Sequence, residues 1–381
     1  MLFKNKVVLM TAKESEYGVD PGAGYQGVLA NDGLKYNPSG DKIERKTIQE
    51  SFSPRGHVIG IKEQGLSFSV EGKGNGLDGS DPEAPEFDAL LQACALKILS
   101  VTRIKVTGVT GTFEAGETVT GGTSGATGTF RRLSDIGDTE MVMTSVSGTF
   151  QDEETLTGGT SSATATAAGA PYTAKEYAPT STAGDMESCA IRFYWDSHKH
   201  VLLGCRGDLK IDLSNGNYPS FQFDMRGLWS DPADEASPPA PTLSDLVPPV
   251  VKSAGLKVGS FTAPVAEKIE TGLNNNVARR PDMNAAEGLK GLRITDRKPS
   301  GSVDPEAEAL TTFDPYTIWK GAAENRIVCS VGTSAGNRFM LEIPKAVFEE
   351  VGQADREGIR TYSLPFVCTG QADDEWYLTF F

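Results

Sequence analysis

Gly60-Ile61-Lys62-Glu63-Gln64-Gly65-Leu66-Ser67-Phe68-Ser69 and Gly288-Leu289-Lys290-Gly291-Leu292-Arg293-Ile294-Thr295 share one pattern. With two residues deleted, both read Gly-aliphatic-Lys and then Gly-Leu-x-apolar-Ser/Thr. Leu66 to Val70 alternates strictly between apolar and polar side chains, the period of a half-buried strand. The same tetrapeptide comes after each stretch, as Asp81-Pro82-Glu83-Ala84 and as Asp304-Pro305-Glu306-Ala307. Further on, each half has an alternating run that closes on glycine, Phe221 to Gly227 and Leu364 to Gly370. The pattern predicts two copies of one β-rich domain.

The copies diverge after the tetrapeptide. In the second half a helical region, about 307–324, leads almost directly into the strand Arg326-Ile327-Val328-Cys329. In the first half, acids and proline at 81–86 suit the first turn of a helix. Phe87, Leu90, Leu91, Ala95 and Leu96 would be its apolar face. A stretch rich in Gly, Thr and Ser then intervenes, and it carries its own tandem repeat. Gly111-Thr112-Phe113 through Gly121-Gly122-Thr123-Ser124 is one copy, and Gly148-Thr149-Phe150 through Gly158-Gly159-Thr160-Ser161 is the other. Phe113 matches Phe150 and Glu117 matches Glu154, both 37 residues apart. Each copy fits a hairpin of Thr/Val strands bent at Gly-Gly. Strands then resume at Ile191–Trp195, Leu209–Leu213 and Ser220–Met225.

The expected organisation is a first β domain from 1–102 with 171–240, an inserted β module at 103–170, and a second β domain at 241–381. A linker is expected around Ser237-Pro238-Pro239-Ala240-Pro241. Polar stretches at about 40–60, including Lys42 to Phe52, and at 270–288 read as exposed arms. Surface decoration is the role expected for the module. Carbohydrate or cell-surface binding by an adhesin is the alternative.

Composition agrees with a β-rich chain. The 381 residues include 42 Gly and 21 Pro, and 38% are hydrophobic, which favours strands and turns. There is no apolar run of about 18 residues, so no membrane helix is expected. Val7-Val8-Leu9-Met10 is too short for a signal segment and reads as a first strand. Cys94, Cys189, Cys205, Cys329 and Cys368 lack metal or redox spacing and read as small buried hydrophobes. His198 and His200 could share one strand face, but no third metal ligand is evident. The formal net charge of −15 argues against gripping DNA, although an acidic wall could enclose it without sticking.

No GxSxG, HExxH, P-loop or dinucleotide fingerprint is present. Gly72-Lys73-Gly74-Asn75-Gly76 reads as a hairpin turn. Asp373-Asp374-Glu375 reads as a turn before the last strand, and Glu153-Glu154 as solvated acids. No enzyme activity, metal or cofactor is expected.

Ala12-Lys13-Glu14-Ser15-Glu16-Tyr17-Gly18-Val19-Asp20-Pro21 resembles the opening of tail tube proteins of long-tailed bacteriophages, where Glu-x-x-Tyr-Gly-x-Asp-Pro comes after the first strand. The resemblance continues through Ile43-Glu44-Arg45, the Gly60–Gly76 region and Ala84-Pro85-Glu86-Phe87-Asp88-Ala89-Leu90-Leu91. It resumes at Tyr177-Ala178-Pro179, Leu203-Gly204-Cys205-Arg206-Gly207 and Asn215-Gly216. It returns at Gly336-Asn337-Arg338 with Ile343-Pro344, and at Asp373-Asp374-Glu375. The 103–170 stretch departs from the pattern and is similar to small Gly/Thr-rich β modules of phage structural proteins.

The resemblance implies a β-barrel or sandwich with a flanking helix, polymerised as stacked rings into a hollow tube that conducts DNA during ejection. It implies a virion protein, made in the host bacterial cytoplasm, with tape measure and tail terminator proteins as partners and no membrane contact. Family members with duplicated tube domains form trimers of pseudo-sixfold symmetry. That ring is expected here, with a homohexamer as the alternative. Arg45, Arg55, Arg279 and Arg280 would then contact acids of the adjacent ring.

Overall fold

A computed structural model describes residues 6–31, 33–76, 83–235 and 239–381. The chain is mainly β. After β1 (Val7–Lys13) and the short β2 (Gln26–Gly27), β3 (Lys35–Glu44) and β4 (His57–Glu71) form a long hairpin. The alternation of β4 does what it predicts. Leu66, Phe68 and Val70 are buried, facing Met225, Phe223 and Phe221 across the ladder.

Helix α1 (Asp88–Ala93) comes next, shorter than the sequence suggests. Leu90 and Leu91 are buried on it, as expected, with Phe87 at its N-cap. Ala95 instead takes a positive φ of 59°, which breaks the helix, and Leu96 opens the next strand. The β-branched run from Ile98 to Thr107 explains the switch. The expected helix opening at Asp81-Pro82 lies outside the described residues, as does the linker start at Ser237-Pro238.

β5 (Leu96–Thr110), β6 (Thr118–Gly121), β7 (Thr127–Ser134), β8 (Glu140–Ser147), β9 (Thr155–Gly158) and β10 (Thr164–Ala167) come from the repeat-bearing stretch and its lead-in. They pair in the order β5-β8-β7-β6-β9-β10 and back to β5, a closed six-stranded barrel. Its own apolar core contains Ile104, Val119, Phe130, Met141, Met143 and Leu156.

The chain continues as β11 (Tyr172–Pro179), β12 (Cys189–Trp195), β13 (His198–Ser214), β14 (Ser220–Leu228) and β15 (Ala233–Asp234). Then come β16 (Lys257–Val258), β17 (Ala266–Gly272), β18 (Asn275–Pro281), β19 (Leu289–Arg297) and β20 (Ser300–Pro305). Helix α2 (Pro315–Lys320) occupies only part of the helical region expected at 307–324. Asp314 starts it by accepting from the Tyr316 and Thr317 N–H groups, with Pro315 at its first position. The last strands are β21 (Asn325–Val331), β22 (Phe339–Phe348), β23 (Gly352–Arg356), β24 (Ile359–Cys368) and β25 (Tyr377–Phe380).

A row of eight antiparallel strands runs β3-β4-β14-β13-β17-β20-β24-β22. One large apolar core underlies it, from Leu66 and Phe223 to Leu364 and Phe366. β22 pairs with β25 along Phe339–Glu342 and with β24 along Ala346–Phe348. The strands β25-β11-β5 then lead to the barrel.

The two stretches aligned in sequence do not occupy matching places. Leu66 sits beside β14 within the row, whereas Leu292 lies on β19, which pairs with β18 in a separate two-stranded sheet. β20, not β19, lies beside β24.

Candidate functional site

The row of eight strands has a second face, polar from β4 to β20 and carrying Pro365, Val367 and Val347 on β24 and β22. Rows of side chains cross it in register. One runs Glu71, Ser220, Asp212, Glu270, Ser302. Beside it run Ser69, Gln222, Lys210, Gly272, Ser300. Strand alternation places all of these opposite the buried Phe221, Ile211, Ile269 and Val303. The cations at the centre are paired. Lys268 reaches Asp212 at 2.8 Å and Glu270 at 2.9 Å, and Lys210 reaches Glu270 at 3.0 Å. Hydrogen bonds to Asp212 and Glu270 push the Lys268 ammonium up to about 12. Burial opposes ionisation of Glu270, yet Lys268 and Lys210 hold its carboxyl below the usual range. Asp224 accepts from Ser67 at 2.8 Å. The resulting face is serine-rich and acidic, with Lys210 and Lys268 already neutralised.

Two hairpins extend from this row. At the tip of the first, Ile48 and Phe52 are fully exposed. Arg45 and Arg55 are exposed there too, Arg55 donating to Gln49 at 2.9 Å. The second hairpin, β18–β19, folds onto the first. Arg279 makes a fork onto Glu63, with both contacts at 3.0 Å, and reaches Asp41 at 2.9 Å. Arg226 holds the same Glu63 at 2.8 Å. Of the four arginines singled out in the sequence, Arg279 is thus engaged within its own chain, while Arg45, Arg55 and Arg280 are exposed. The pairing of Arg279 with Glu63 spans 216 residues, and nothing local signals it.

The Glu-x-x-Tyr-Gly stretch is a latch. Buried Glu14 accepts from Gly204 N at 2.7 Å, Ser188 Oγ at 2.7 Å and Gly18 N at 2.9 Å. Tyr17 donates to the Gly204 carbonyl at 3.0 Å and accepts from Leu292 N at 2.6 Å. Its ring lies so close to Gly204 and Gly291 that a Cβ on either would stand 2.7 Å from it. One tyrosine therefore ties the N-terminal segment, β13 and the second hairpin together.

The tandem repeat is a reciprocal clamp. Glu117 accepts from Thr160 N and Ser161 N, both at 2.9 Å, and from Ser161 Oγ at 2.7 Å. Glu154 accepts from Thr123 N at 3.1 Å and from Ser124 N and Oγ, both at 2.9 Å. Each copy's carboxylate thus holds the Thr-Ser loop of the other copy. Gly121 and Gly158 are required beside them, because a Cβ would stand 2.6 Å from a carboxylate oxygen of Glu154 or of Glu117.

A buried ionic joint connects the barrel to the rest. Arg132 donates to Glu342 at 2.6 Å and Glu176 at 2.7 Å, with its guanidinium 3.8 Å from the Tyr377 ring centre. Arg103 donates to Glu140 and Ser134, both at 2.6 Å, and Ser134 donates to Glu342 at 2.7 Å. Burial works against the Glu342 charge, but Arg132 and Arg103 keep its carboxyl below the ordinary range.

The five cysteines are buried and free, as read from the sequence. His200 stacks on Phe193 at 4.5 Å, and His198 contacts Asp234 at 3.2 Å. Among the described residues no group of three or more His, Cys, Asp or Glu is arranged to hold a metal. No helix of the described residues is long and apolar enough to cross a membrane.

A family model described as phage tail tube protein matches residues 4–368. The chain belongs to that family. A comparison with curated proteins gave no match. The tail tube protein is a structural component of the virion and not an enzyme, as its family is. The latch formed by Glu14 and Tyr17 gives a physical role to the Glu14–Gly18 stretch of this chain.

Proposed function

We propose that this tail tube protein polymerises as stacked rings into a hollow tube, and that the polar face of the eight-stranded row lines the channel through which DNA passes. The observation that carries this reading is that face. It is rich in serine and acidic from β4 to β20, its central lysines are already bound to carboxylates, and it continues onto β24 and β22 as the uncharged Pro365, Val367 and Val347. Phosphates sliding past such a surface meet no free central cation and are repelled by the excess of acids.

The ring is a trimer of pseudo-sixfold symmetry. Strand order supports this. In β3-β4-β14-β13 the paired β3 and β4 are followed by the last long strand of that half and by β13. In β17-β20-β24-β22 the paired β17 and β20, connected through the β18–β19 arm, are followed by the last long strand of the other half and by β22. The halves meet side by side through β13 and β17. The strands beside them correspond as well, β1-β12-β13 in one half and β16-β21-β22 in the other. On this reading residues 1–102 with 171–240 are one tube domain, 241–381 the other, and 103–170 a decorating module between them. Three such chains place six four-stranded units around one barrel and close the exposed sheet edges. A homohexamer of the same chain would need twice that circumference.

The exposed tips of the two hairpins reach the adjacent ring, bringing Arg45, Arg55 and Arg280 to its acids. Apolar Ile48, Phe52 and Met283, all fully exposed, supply the buried area that surface ion pairs alone do not. The protein is made in the host cytoplasm and assembles with tape measure and tail terminator proteins. The adhesin alternative needs an exposed aromatic platform, and Phe113, Phe130 and Phe150 of the barrel are all buried.

Cryo-electron microscopy of the assembled tail tests the reading. Threefold tubes with the row from β3 to β22 facing the lumen are expected. True sixfold rings of this chain would overturn the trimer, and a lumen lined by other residues would overturn the assigned wall.

A further inference from the structure

A cavity of about 800 Å3 opens where the loop after β11, strand β19 and the loop before β25 converge. Arg206, Arg293, Arg297 and Lys298 line it together with Asp373, Glu375 and Asp296, the last accepting from Arg297 N at 2.9 Å. Arg297 is satisfied by Asp373 and by Glu375, the latter at 2.5 Å. The other cations have no ion pair among the described residues. Arg206 donates once, to the Met186 carbonyl at 2.9 Å, and its guanidinium lies 5.5 Å from the Tyr17 ring centre. Its Nε is buried and has no acceptor. Arg293 and Lys298 are exposed in the same wall.

Carboxylates stand near Arg206 but are committed elsewhere. Glu14 holds Gly18, Ser188 and Gly204, and Glu187 holds Lys13 at 2.9 Å. Burial, with Arg293 adding like charge, pushes the Arg206 guanidinium below its ordinary range. A desolvated guanidinium beside like charges, with an open donor, is a site that lacks its anion.

We propose that this cavity is a carboxylate-binding pocket, and that a second copy of the chain supplies the carboxylate. A chain of net charge −15 presents acids over much of its surface, so each added copy brings the complementary group. This rests on the assembly proposed for the tube. The planar fork of Arg206 selects the carboxylate, and Arg293 and Lys298 attract it.

The test uses glutarate as the probe, titrated calorimetrically into the soluble chain, together with the critical concentration for tube growth. Glutarate binds the wild type saturably and about tenfold more weakly to Arg206→Gln, the loss of a charge-assisted hydrogen bond. The exposed pair Arg293→Gln and Lys298→Gln weakens binding as well, while leaving the melting temperature unchanged. Both variants, and glutarate itself, raise the critical concentration. Absence of saturable binding to the wild type, or equal binding by the variants, overturns the pocket. Binding without any effect on tube growth overturns the second copy as the source and leaves a free anion as the ligand. If the wild type forms no tubes, the assembly reading fails by itself, and the titration still decides the pocket.

Discussion

Glu117→Gln separates a reciprocal clamp from an ordinary surface acid. In the folded chain one carboxylate oxygen accepts from Thr160 N and Ser161 N, and the other from Ser161 Oγ and from Glu114 N at 2.8 Å. An amide keeps one accepting oxygen and turns an NH2 toward the remaining donors. Whichever way it settles, one pair of donors loses its charged acceptor. Hydrogen bonds to charged groups contribute about 1.5–3 kcal/mol each. With water close to the loop, a loss of about 2–3 kcal/mol is expected for the pair.

The titration of the wild type has the matching sign. Burial works against the charge, but the Ser161 and Thr160 donors lower the Glu117 carboxyl from 4.5 to about 2. A depressed carboxyl contributes its stability fully above the unfolded value and loses it as pH falls from about 4.5 through about 2. Glu117→Gln therefore has little left to lose near pH 2, and its difference from wild type shrinks there. The assay is hydrogen exchange read by mass spectrometry on peptides covering 158–163 and 121–126. Exchange speeds up roughly 30- to 150-fold at 158–163, the equivalent of 2–3 kcal/mol, while 121–126 stays protected by Glu154. Glu154→Gln gives the mirror image. Faster exchange in each variant's own hairpin, or in neither loop, would refute the crossed arrangement.

Arg132→Met removes the closest cation of both Glu342 and Glu176. It leaves these buried carboxylates only longer cation contacts, Arg326 at 3.7 Å for the first and Arg131 at 3.6 Å and Arg103 at 3.8 Å for the second, a destabilisation of about 3 kcal/mol visible in denaturant melts. Arg132→Lys does not restore it, because a point charge cannot bridge both acids and face Tyr377. Tyr17→Phe deletes the hydroxyl between Gly204 and Leu292 and costs about 1–2 kcal/mol; equal melting of the two proteins would disprove the latch. Ile48→Asp with Phe52→Asp leaves the soluble chain within about 0.5 kcal/mol of wild type, since both side chains are fully exposed. The same double substitution abolishes tube growth in a sedimentation assay, and normal tubes would rule out this tip as a contact.

Much of this architecture is written in local patterns. The period of two in Leu66–Val70 and in Phe221–Met225 places the right residues in the core, because a strand's faces alternate whatever its partners are. The tandem repeat marks the first strand and the Gly-Gly turn of two hairpins, β6 with β7 and β9 with β10, whose second strands lie beyond the repeated residues. What the repeat does lies beyond local pattern. Glu153 and Glu154 look alike as neighbouring acids, yet Glu154 is buried in the clamp and Glu153 is exposed at a positive φ of 62°. The available signal is a glutamate at the same offset in both copies, each with Gly-Gly-Thr-Ser shortly after it. Helix lengths are overestimated from sequence because acids and proline mark where a helix begins, not how far it runs. Arg279 looks free in the sequence because its partner Glu63 is remote along the chain.

The pairing of β5 explains how a module can sit inside this fold. Leu96–Arg103 of β5 lies against Tyr172–Pro179 of β11, so the chain leaves for the barrel and returns from it at adjacent points. The continuation of β5 then serves as a barrel strand between β8 and β10. Direction is set by the buried joint of Arg132 and Arg103 with Glu342 and Glu176, which permits one orientation because any other leaves charges unpaired. By strand pairing the barrel reaches the row through β11 and β25, on a branch from β22, and by side chains through Arg132 and Ser134 on Glu342; none of its strands interrupts the eight. Substitutions within the barrel can therefore alter the module while the polar face keeps its strand order and its charge pairs.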